Sequence, residues 1–437
     1  MKRVLCLGAG LVARPFVQYI SEHGFHILVA TRTKAKAEAL IDESSNAEAV
    51  QFDIQSDDRL LDELTGGADL VCSLLPYAYH VKAAKAAINH HKHFCTTSYI
   101  SAEMKQLDTA AQAAGVVLLN ECGVDPGIDH MSAMRIIDAI HKRSGRVVSF
   151  TSFTGGLPAP DSNNNPFGYK VSWTPRGVLL AGRNDAHFLH DGKEVVIPGP
   201  TLFDNYELME VPNLGTFEGY PNRDSLSYIG IYGIPEVRDM LRGTYRNIGW
   251  CKTMKKVADL GLLDIEPRTL GDRTYSQILQ DIVQAKSDVK GATAKKIGLN
   301  RSDPIIQRLD WLGLFSNETV PPGTNTYLDA LSHLFEQKMQ YAPGERDMLV
   351  MRHEIISEYD GKRERTTSTL IDYGIPHGDS SMSRTVSLPV AIASRLILES
   401  KIKLTGVHRP TIPQLYNPIL DELGELGISL TEETTVL

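Results

Sequence analysis

The stretch Val4-Leu5-Cys6-Leu7-Gly8-Ala9-Gly10-Leu11-Val12-Ala13-Arg14 constrains this chain more than any other, because an apolar strand runs straight into a G-x-G-x-x-A turn that opens a helix. Gly8 permits the tight turn, Gly10 lets the backbone approach a pyrophosphate, and Ala13 lets the helix pack close to the sheet with its N-terminus toward the phosphates. The context that a lone glycine pattern lacks is present here: an apolar strand before it, the periodic helix Leu11-Val12-Phe16-Val17-Ile20 after it, and a second strand at 26–30. Gly8, Ala9, Gly10, Leu11 and Val12 are therefore read as the turn that holds a dinucleotide.

Where the second strand ends, an NAD site normally carries Asp or Glu to bind the ribose 2′-hydroxyl. This chain has Thr31-Arg32-Thr33-Lys34 instead. A guanidinium and hydroxyls with no carboxylate suit a 2′-phosphate, so NADP is expected over NAD, with Thr31, Arg32 and Thr33 as its readers.

Further strand-like runs fall at 49–52, 70–75, 94–97 and 116–119, separated by helical patterns at 34–43, 57–64, 79–89 and 101–114. Such alternation builds an α/β, Rossmann-type doubly wound parallel sheet. Open sheets of this kind bind ligands at the carboxyl ends of their strands. Those ends carry Asp53 and Ile54, Ser73 and Leu74, and Thr97 and Val124, which are expected on the cofactor. Tyr99 and Asp125 are expected beside the reacting end. Position alone leaves two structural readings open: Tyr99 packing on the following helix, and Asp125 as a helix N-cap.

After Asn120 the pattern changes. The run 121–130 reads as a loop entering a helix, and a strand at 147–153 is expected to end in the rigid loop Gly155-Gly156-Leu157-Pro158-Ala159-Pro160, extended by the polar stretch 161–168. Apolar spacing predicts helices at 251–260, 275–285, 303–314 and 327–341, then strands at 348–359 and 366–373, then helices at 387–398 and 418–426. Arg223 and Arg242 lie in segments, 220–225 and 241–246, that read as polar loops. The expected division is a dinucleotide-binding domain at 1–124, an α/β substrate and dimerisation domain at 125–249 and 342–385, a helical insertion at 250–341, and C-terminal helices at 386–437 returning toward the first domain.

The chain has 437 residues, with 45 Lys and Arg against 53 Asp and Glu, a net charge of −8 that argues against nucleic acid as a partner. No apolar stretch approaches the roughly 18 residues that span a bilayer, and the first strand begins without the layout of a signal peptide. A cytoplasmic protein is expected. The five cysteines lack C-x-x-C spacing and read as buried thiols in a reducing compartment. His90, His91, His93 and Cys95 invite a metal reading, but no second thiol or carboxylate accompanies them, and no metal is expected.

Taken together, Gly-Ala-Gly-Leu-Val-Ala-Arg-Pro at 8–15, Leu-Leu-Pro-Tyr at 74–77, Thr-Ser-Tyr-Ile-Ser at 97–101, Asn-Glu-Cys-Gly-Val-Asp-Pro-Gly-Ile-Asp-His at 120–130, Gly-Gly-Leu-Pro-Ala-Pro at 155–160, Trp-Thr-Pro-Arg-Gly-Val-Leu at 173–179, Tyr-Pro-Asn-Arg-Asp-Ser at 220–225 and Trp-Leu-Gly-Leu-Phe at 311–315 resemble the glutamate-forming saccharopine dehydrogenase family across essentially the whole chain. The resemblance implies that NADP takes hydride from the lysine-side carbon of saccharopine's secondary amine. The resulting imine hydrolyses to glutamate and 2-aminoadipate 6-semialdehyde, a step of lysine metabolism that also runs in reverse.

Carried over by motif, Ser98, Tyr99 and Asp125 line the reacting centre, Arg223 holds a substrate carboxylate, and Arg242, Gly243 and Thr244 touch another part of the same ligand. Asp125 is the favoured acid–base group, with Tyr99 beside it. One departure stands out. Fungal members carry Cys immediately before Gly-Gly-Leu-Pro-Ala-Pro, and this chain has Thr154, so no thiol there serves its chemistry. A carboxyspermidine-type or lysine-type dehydrogenase would share the imine chemistry with fewer substrate carboxylates, which two arginines disfavour. A non-catalytic NADP-binding regulator would leave most of the chain without a task. A homodimer is the default expectation.

Overall fold

A computed structural model describes residues 1–41 and 46–437. The chain divides into two compact units, Met1–Gly145 with Ser368–Glu433, and Arg146–Thr367 with Thr434–Leu437. Strands are numbered in chain order. The first unit holds β1 (Arg3–Leu7), β2 (His26–Thr31), β3 (Ala47–Gln51), β4 (Leu70–Ser73), β5 (His93–Thr96) and β6 (Val117–Leu119). Then come β7 (Arg146–Pro158), β8 (Ala186–His190), β9 (Lys193–Ile197), β10 (Glu207–Val211), β11 (Gly215–Pro221), β12 (Asp239–Arg246), β13 (Asp347–Tyr359), β14 (Lys362–Tyr373), β15 (Gly406–His408) and β16 (Leu430–Val436).

The first sheet has seven strands in the order β15-β6-β5-β4-β1-β2-β3, and every pairing is parallel. Strand order reverses between β1 and β4, which opens a ligand crevice at their carboxyl ends. The reason lies in the residues. β4 is buried along its whole length and β1 along all but its first residue, as befits strands covered on both faces. The core beneath is built from Leu5, Leu7, Val71, Phe94 and Leu118 with the small residues Ala83, Ala84 and Ala87 of the helix His80–Asn89, whose lack of bulk lets it lie close to the sheet. The N-terminal helix, Ala13–Glu22, packs against Ser381–Leu398, and Arg395 ties the two together by donating from Nε to the Tyr19 hydroxyl at 2.7 Å and pairing with Glu422.

The second unit is built on a nine-stranded sheet ordered β10-β11-β12-β7-β13-β14-β16, with β8 pairing β12 and β9. β7 runs parallel to β12 and antiparallel to β13. Its apolar core joins Tyr169, Phe203, Trp250, Leu309 and Phe335, drawing on the helices Trp250–Asp259, Tyr275–Val283, Val289–Lys296, Pro304–Leu312 and Tyr327–Lys338.

Several expectations need correction. Gly155 to Pro158 do not form a loop: they continue β7, because β13 pairs with them through Asp347↔Pro158 and because a side chain at Gly155 would strike Tyr245 on the neighbouring strand. The segment 241–246 is the interior of β12, and Tyr220 and Pro221 end β11, so only 222–225 turns. The helix expected at 101–114 is two, Ala102–Lys105 and Asp108–Ala114. Of the helix at 34–43 the structure gives Lys34–Glu38, and 42–43 lie outside the described residues. β8, β9, β10 and the helix Val289–Lys296 had no counterpart in the pattern. The units divide at Gly145 and Ser368 where 124 and 385 were expected, and residues 386–437 contribute β15 and β16 besides helices.

Candidate active site

Gly8 ends β1 at φ +110°, where its N–H donates to the Ala30 carbonyl, and a Cβ there would lie 3.0 Å from the Leu74 carbonyl oxygen. Only glycine fits. Nothing lies within 4 Å of where a Cβ of Gly10 would be, and Gly10 and Leu11 are exposed. The helix Ala13–Glu22 has no side-chain cap and no acidic residue in its first turn, so its N-terminus retains the partial positive charge that suits a phosphate. Ala9 and Val12 are half-buried beside this opening.

At the end of β2, Thr31 is half-buried and Arg32 and Thr33 are exposed. Lys34, which would oppose the dipole of its own helix, is compensated by Glu38 at 3.4 Å. Beyond β3, the Asp53 carboxylate accepts the Gln55 N–H at 3.0 Å, and Lys82 donates to the Ile54 carbonyl at 2.5 Å. Ser73 is buried at the end of β4, and the Leu74 N–H bonds the Leu7 carbonyl. Thr97 packs against the Cα of Gly123, one residue before the buried Val124. These residues line the same strand ends, and they form a turn, a bare helix start and a cationic rim that fit a phosphorylated dinucleotide.

The Tyr99 hydroxyl donates to Asp125 Oδ1 at 3.2 Å. This brings together the two residues expected at the reacting centre. Asp125 does not cap the next helix: the N-cap of Ile128–Lys142 is Gly127, whose N–H is taken by Asp129 Oδ1 at 2.5 Å.

Ser98 is held from behind. His80 Nε2 lies 2.8 Å from Ser98 Oγ and His80 Nδ1 lies 2.9 Å from Ser73 Oγ, so one imidazole joins the two serine hydroxyls. Burial pushes this histidine down to about 4, which keeps it neutral near pH 7, able to donate from one nitrogen and accept at the other. Thr96 donates to the Ser73 carbonyl at 2.8 Å and completes the cluster.

Four residues before Asp125, Glu121 anchors a buried ionic group. Glu121, at φ +55°, accepts from His130 at 2.9 Å, from the Ile100 N–H at 3.0 Å and from both Arg409 Nε and Nη2 at 3.2 Å. Burial alone would raise this carboxyl, but His130, Arg409 and the Ile100 amide outweigh it and hold Glu121 near 2. Neither His80 nor this group was singled out from sequence. The signal for His80 was its place opening the helix after Leu-Leu-Pro-Tyr, where a polar residue facing the strand ends is unusual for a merely apolar crossover.

In the second unit, Arg223 is exposed and takes φ +53°, a strained conformation for a residue that carries a Cβ, while its carbonyl accepts the His187 N–H at 2.8 Å. Arg242 is buried, stacked 4.1 Å from the Tyr228 ring centre, with its N–H bonded to Ser225 Oγ at 2.9 Å. Gly243 is required because a Cβ would collide with Phe153 and the Tyr220 carbonyl. Thr244 pairs with Thr154 on β7 and Tyr220 on β11.

Side chains alternate along a strand, so Arg242, Thr244 and Arg246 share one face of β12. Register puts Ser152 and Thr154 of β7 and Tyr220 and Glu218 of β11 on that face too. Among the described residues no cluster of three or more His, Cys, Asp or Glu could hold a metal ion. His90 pairs with Asp62, and His93 accepts the Val117 N–H. All five cysteines are free and buried.

Two family models match the chain: the saccharopine dehydrogenase NADP binding domain over residues 4–119 and the saccharopine dehydrogenase C-terminal domain over 123–428. The chain belongs to the saccharopine dehydrogenase family. It is 40% identical to the saccharopine dehydrogenase [NADP(+), L-glutamate-forming] of Schizosaccharomyces pombe over 99% of both chains. It is 37% identical to the alpha-aminoadipic semialdehyde synthase of Bos taurus, covering all of this chain and 48% of that protein. The solved structure of apo saccharopine dehydrogenase (L-Glu forming) from Saccharomyces cerevisiae superposes with a TM-score of 0.90, at 38% identity and full coverage of both chains.

Proposed function

We propose that this chain is an NADP-dependent oxidoreductase acting on a CH–NH group, interconverting saccharopine with L-glutamate and 2-aminoadipate 6-semialdehyde in lysine metabolism. The observation that carries the reading is the Tyr99–Asp125 hydrogen bond at the carboxyl ends of a dinucleotide-type sheet, in a chain similar over its full length to enzymes named for this reaction. These relatives do not favour the alternatives with fewer substrate carboxylates.

The bound nicotinamide supplies the hydride acceptor. The chain's own residues do the rest. Gly8 to Val12, Thr31 to Thr33, Asp53, Ile54, Ser73, Leu74, Thr97 and Val124 hold the dinucleotide, and Arg32 selects its 2′-phosphate. Asp125 takes the proton of the substrate amine as the C–H bond is broken and then serves the water that adds to the imine. Tyr99, donating to Asp125, keeps that carboxylate aimed. Ser98, fixed by His80, hydrogen-bonds the substrate, and Arg223, Arg242, Gly243 and Thr244 bind its carboxylates and orient the reacting carbon.

No helix of the described residues is long and apolar enough to cross a membrane. The free buried thiols suit a reducing compartment such as the cytoplasm, and a homodimer is the default for such a chain. The test is spectrophotometric. Saccharopine with NADP should produce reduced nicotinamide, NAD should serve poorly, and glutamate with the semialdehyde should consume NADPH; no reduction with saccharopine under any of these conditions overturns the assignment.

A further inference from the structure

Three neighbouring strands of the first sheet, β15, β6 and β5, run parallel and end side by side, in the register His408↔Leu119 and Cys95↔Leu119. Their carboxyl ends lead directly into Arg409, Glu121 and Tyr99. Glu121 grips the chain on both sides of Tyr99. Its N–H donates to the Ser98 carbonyl at 3.0 Å, and its Oε1 accepts the Ile100 N–H at 3.0 Å. Tyr99 is 38% exposed, so packing alone does not fix its ring, whereas its backbone is pinned before and after by one residue.

Holding Glu121 there is unfavourable on two counts. It is buried, and it takes φ +55°, a left-handed conformation that strains a residue with a Cβ. Glycine at 121 would adopt the same backbone without strain and would keep the bond to Ser98. What glycine could not supply is the acceptor for Ile100. A buried carboxylate needs donors, and Glu121 draws them from distant parts of the chain. His130, in the first turn of the helix Ile128–Lys142, lies 2.9 Å away through Nε2, and Arg409 reaches it with Nε and Nη2 at 3.2 Å each. Strain and a buried charge are thus maintained together one hydrogen bond from the Tyr99 backbone.

We propose that Glu121 is a positioning residue for the reacting centre: clamped by Arg409 and His130, it fixes the segment 98–100 so that the Tyr99 hydroxyl meets Asp125 Oδ1. Its carboxylate oxygens are taken up by protein donors, so it acts through Tyr99 and not on the substrate. The use of that contact in saccharopine turnover rests on the proposed function; the clamp on Tyr99 does not.

The experiment is a double-mutant cycle on the full chain, read as kcat and KM with saccharopine and NADP. Glu121→Gln leaves a single acceptor oxygen for which Arg409, His130 and the Ile100 N–H compete, and it sets an amide donor among them, so the grip is released. In the wild-type background it should lower kcat by about 10-fold, the scale of a small displacement near the reacting atoms, with the KM for NADP unmoved. In the Tyr99→Phe background the same change should cost less than about 2-fold, because the hydroxyl it positions is already gone. Arg409→Lys keeps a positive charge without the two-pronged contact; it should show the same pattern more weakly and takes the place of Glu121→Gln should that variant not fold. Equal losses in the two backgrounds are what a purely structural carboxylate would give, and they overturn the assignment, as does a folded variant with no loss. A second arm needs no turnover: in a crystal structure of the variant the Tyr99 hydroxyl should stand beyond hydrogen-bond distance of Asp125, and a retained bond overturns the positioning role. A wild type that does not turn over saccharopine removes the proposed function and leaves the positioning role to be decided by that second arm.

Discussion

The Tyr99 hydroxyl and the Asp125 carboxylate are joined by a 3.2 Å hydrogen bond in which tyrosine donates. A donor of this kind fixes the orientation of the carboxylate. Asp125→Asn should lower turnover by about 10² to 10⁴-fold, the range for a general acid–base group. Tyr99→Phe should cost less, because the carboxylate stays and loses only the hydrogen bond that aims it. A folded Tyr99→Phe variant with the wild-type kcat and KM would show that the contact does not position the carboxylate.

His80 links Ser73 to Ser98 while neutral, and the link has a signature in stability. Burial lowers its native value to about 4 from an ordinary 6.5, so as pH falls the unfolded chain binds the proton first. The sign follows: the stability held above pH 6.5 declines between 6.5 and about 4, by a total of about 3 kcal/mol for this group. His80→Gln should be less stable at pH 7, having lost two hydrogen bonds, but its urea midpoint should fall less steeply between pH 7 and 5 than that of the wild type. It should also raise the KM for saccharopine through Ser98. Parallel pH slopes in the two proteins would refute the neutral link.

The parallel sheet and its strand ends were legible because each rests on local pattern: apolar runs of four to six residues, a Gly-x-Gly turn, and helices between them. Gly155 and Gly156 were misread for the opposite reason. Two glycines and two prolines signal a turn when judged locally, but here Gly155 lets Tyr245 of β12 pack against β7, a contact 90 residues away in sequence. Arg242 was found from its motif, but its place inside β12 was not, because the segment read as a loop and the strand is defined by pairing with β7 and β11. Glu121, His130 and Arg409 meet across 288 residues, and no local spacing encodes that meeting.

Arg32 is exposed immediately after β2, and no acidic residue stands at 31–34 to serve a ribose hydroxyl. Arg32→Asp should weaken NADP binding by about 2–4 kcal/mol, from a lost charge-assisted contact plus repulsion, while improving NAD relative to NADP. Cofactor titrations followed by fluorescence would check this. An equal loss for both dinucleotides would assign Arg32 to the structure of the turn.

Thr154 offers a sharper test, because its hydroxyl is fully buried without a partner while its β12 neighbour is Thr244. A buried hydroxyl with nothing to bond is a cost, so Thr154→Val, which keeps the shape and removes the oxygen, should leave the ligand-free protein as stable or more so. If the hydroxyl serves the substrate, the same variant should raise the KM for saccharopine by a few-fold, the worth of one neutral hydrogen bond of about 0.5–1.5 kcal/mol. Thr154→Cys should be tolerated, since the thiol is of similar size and fungal relatives carry one there. The burden of proton transfer would still rest on Asp125. Thr154→Val abolishing turnover, with Asp125→Asn leaving it intact, would falsify that division of labour and move the chemistry from the first unit's carboxylate to the second unit's β7.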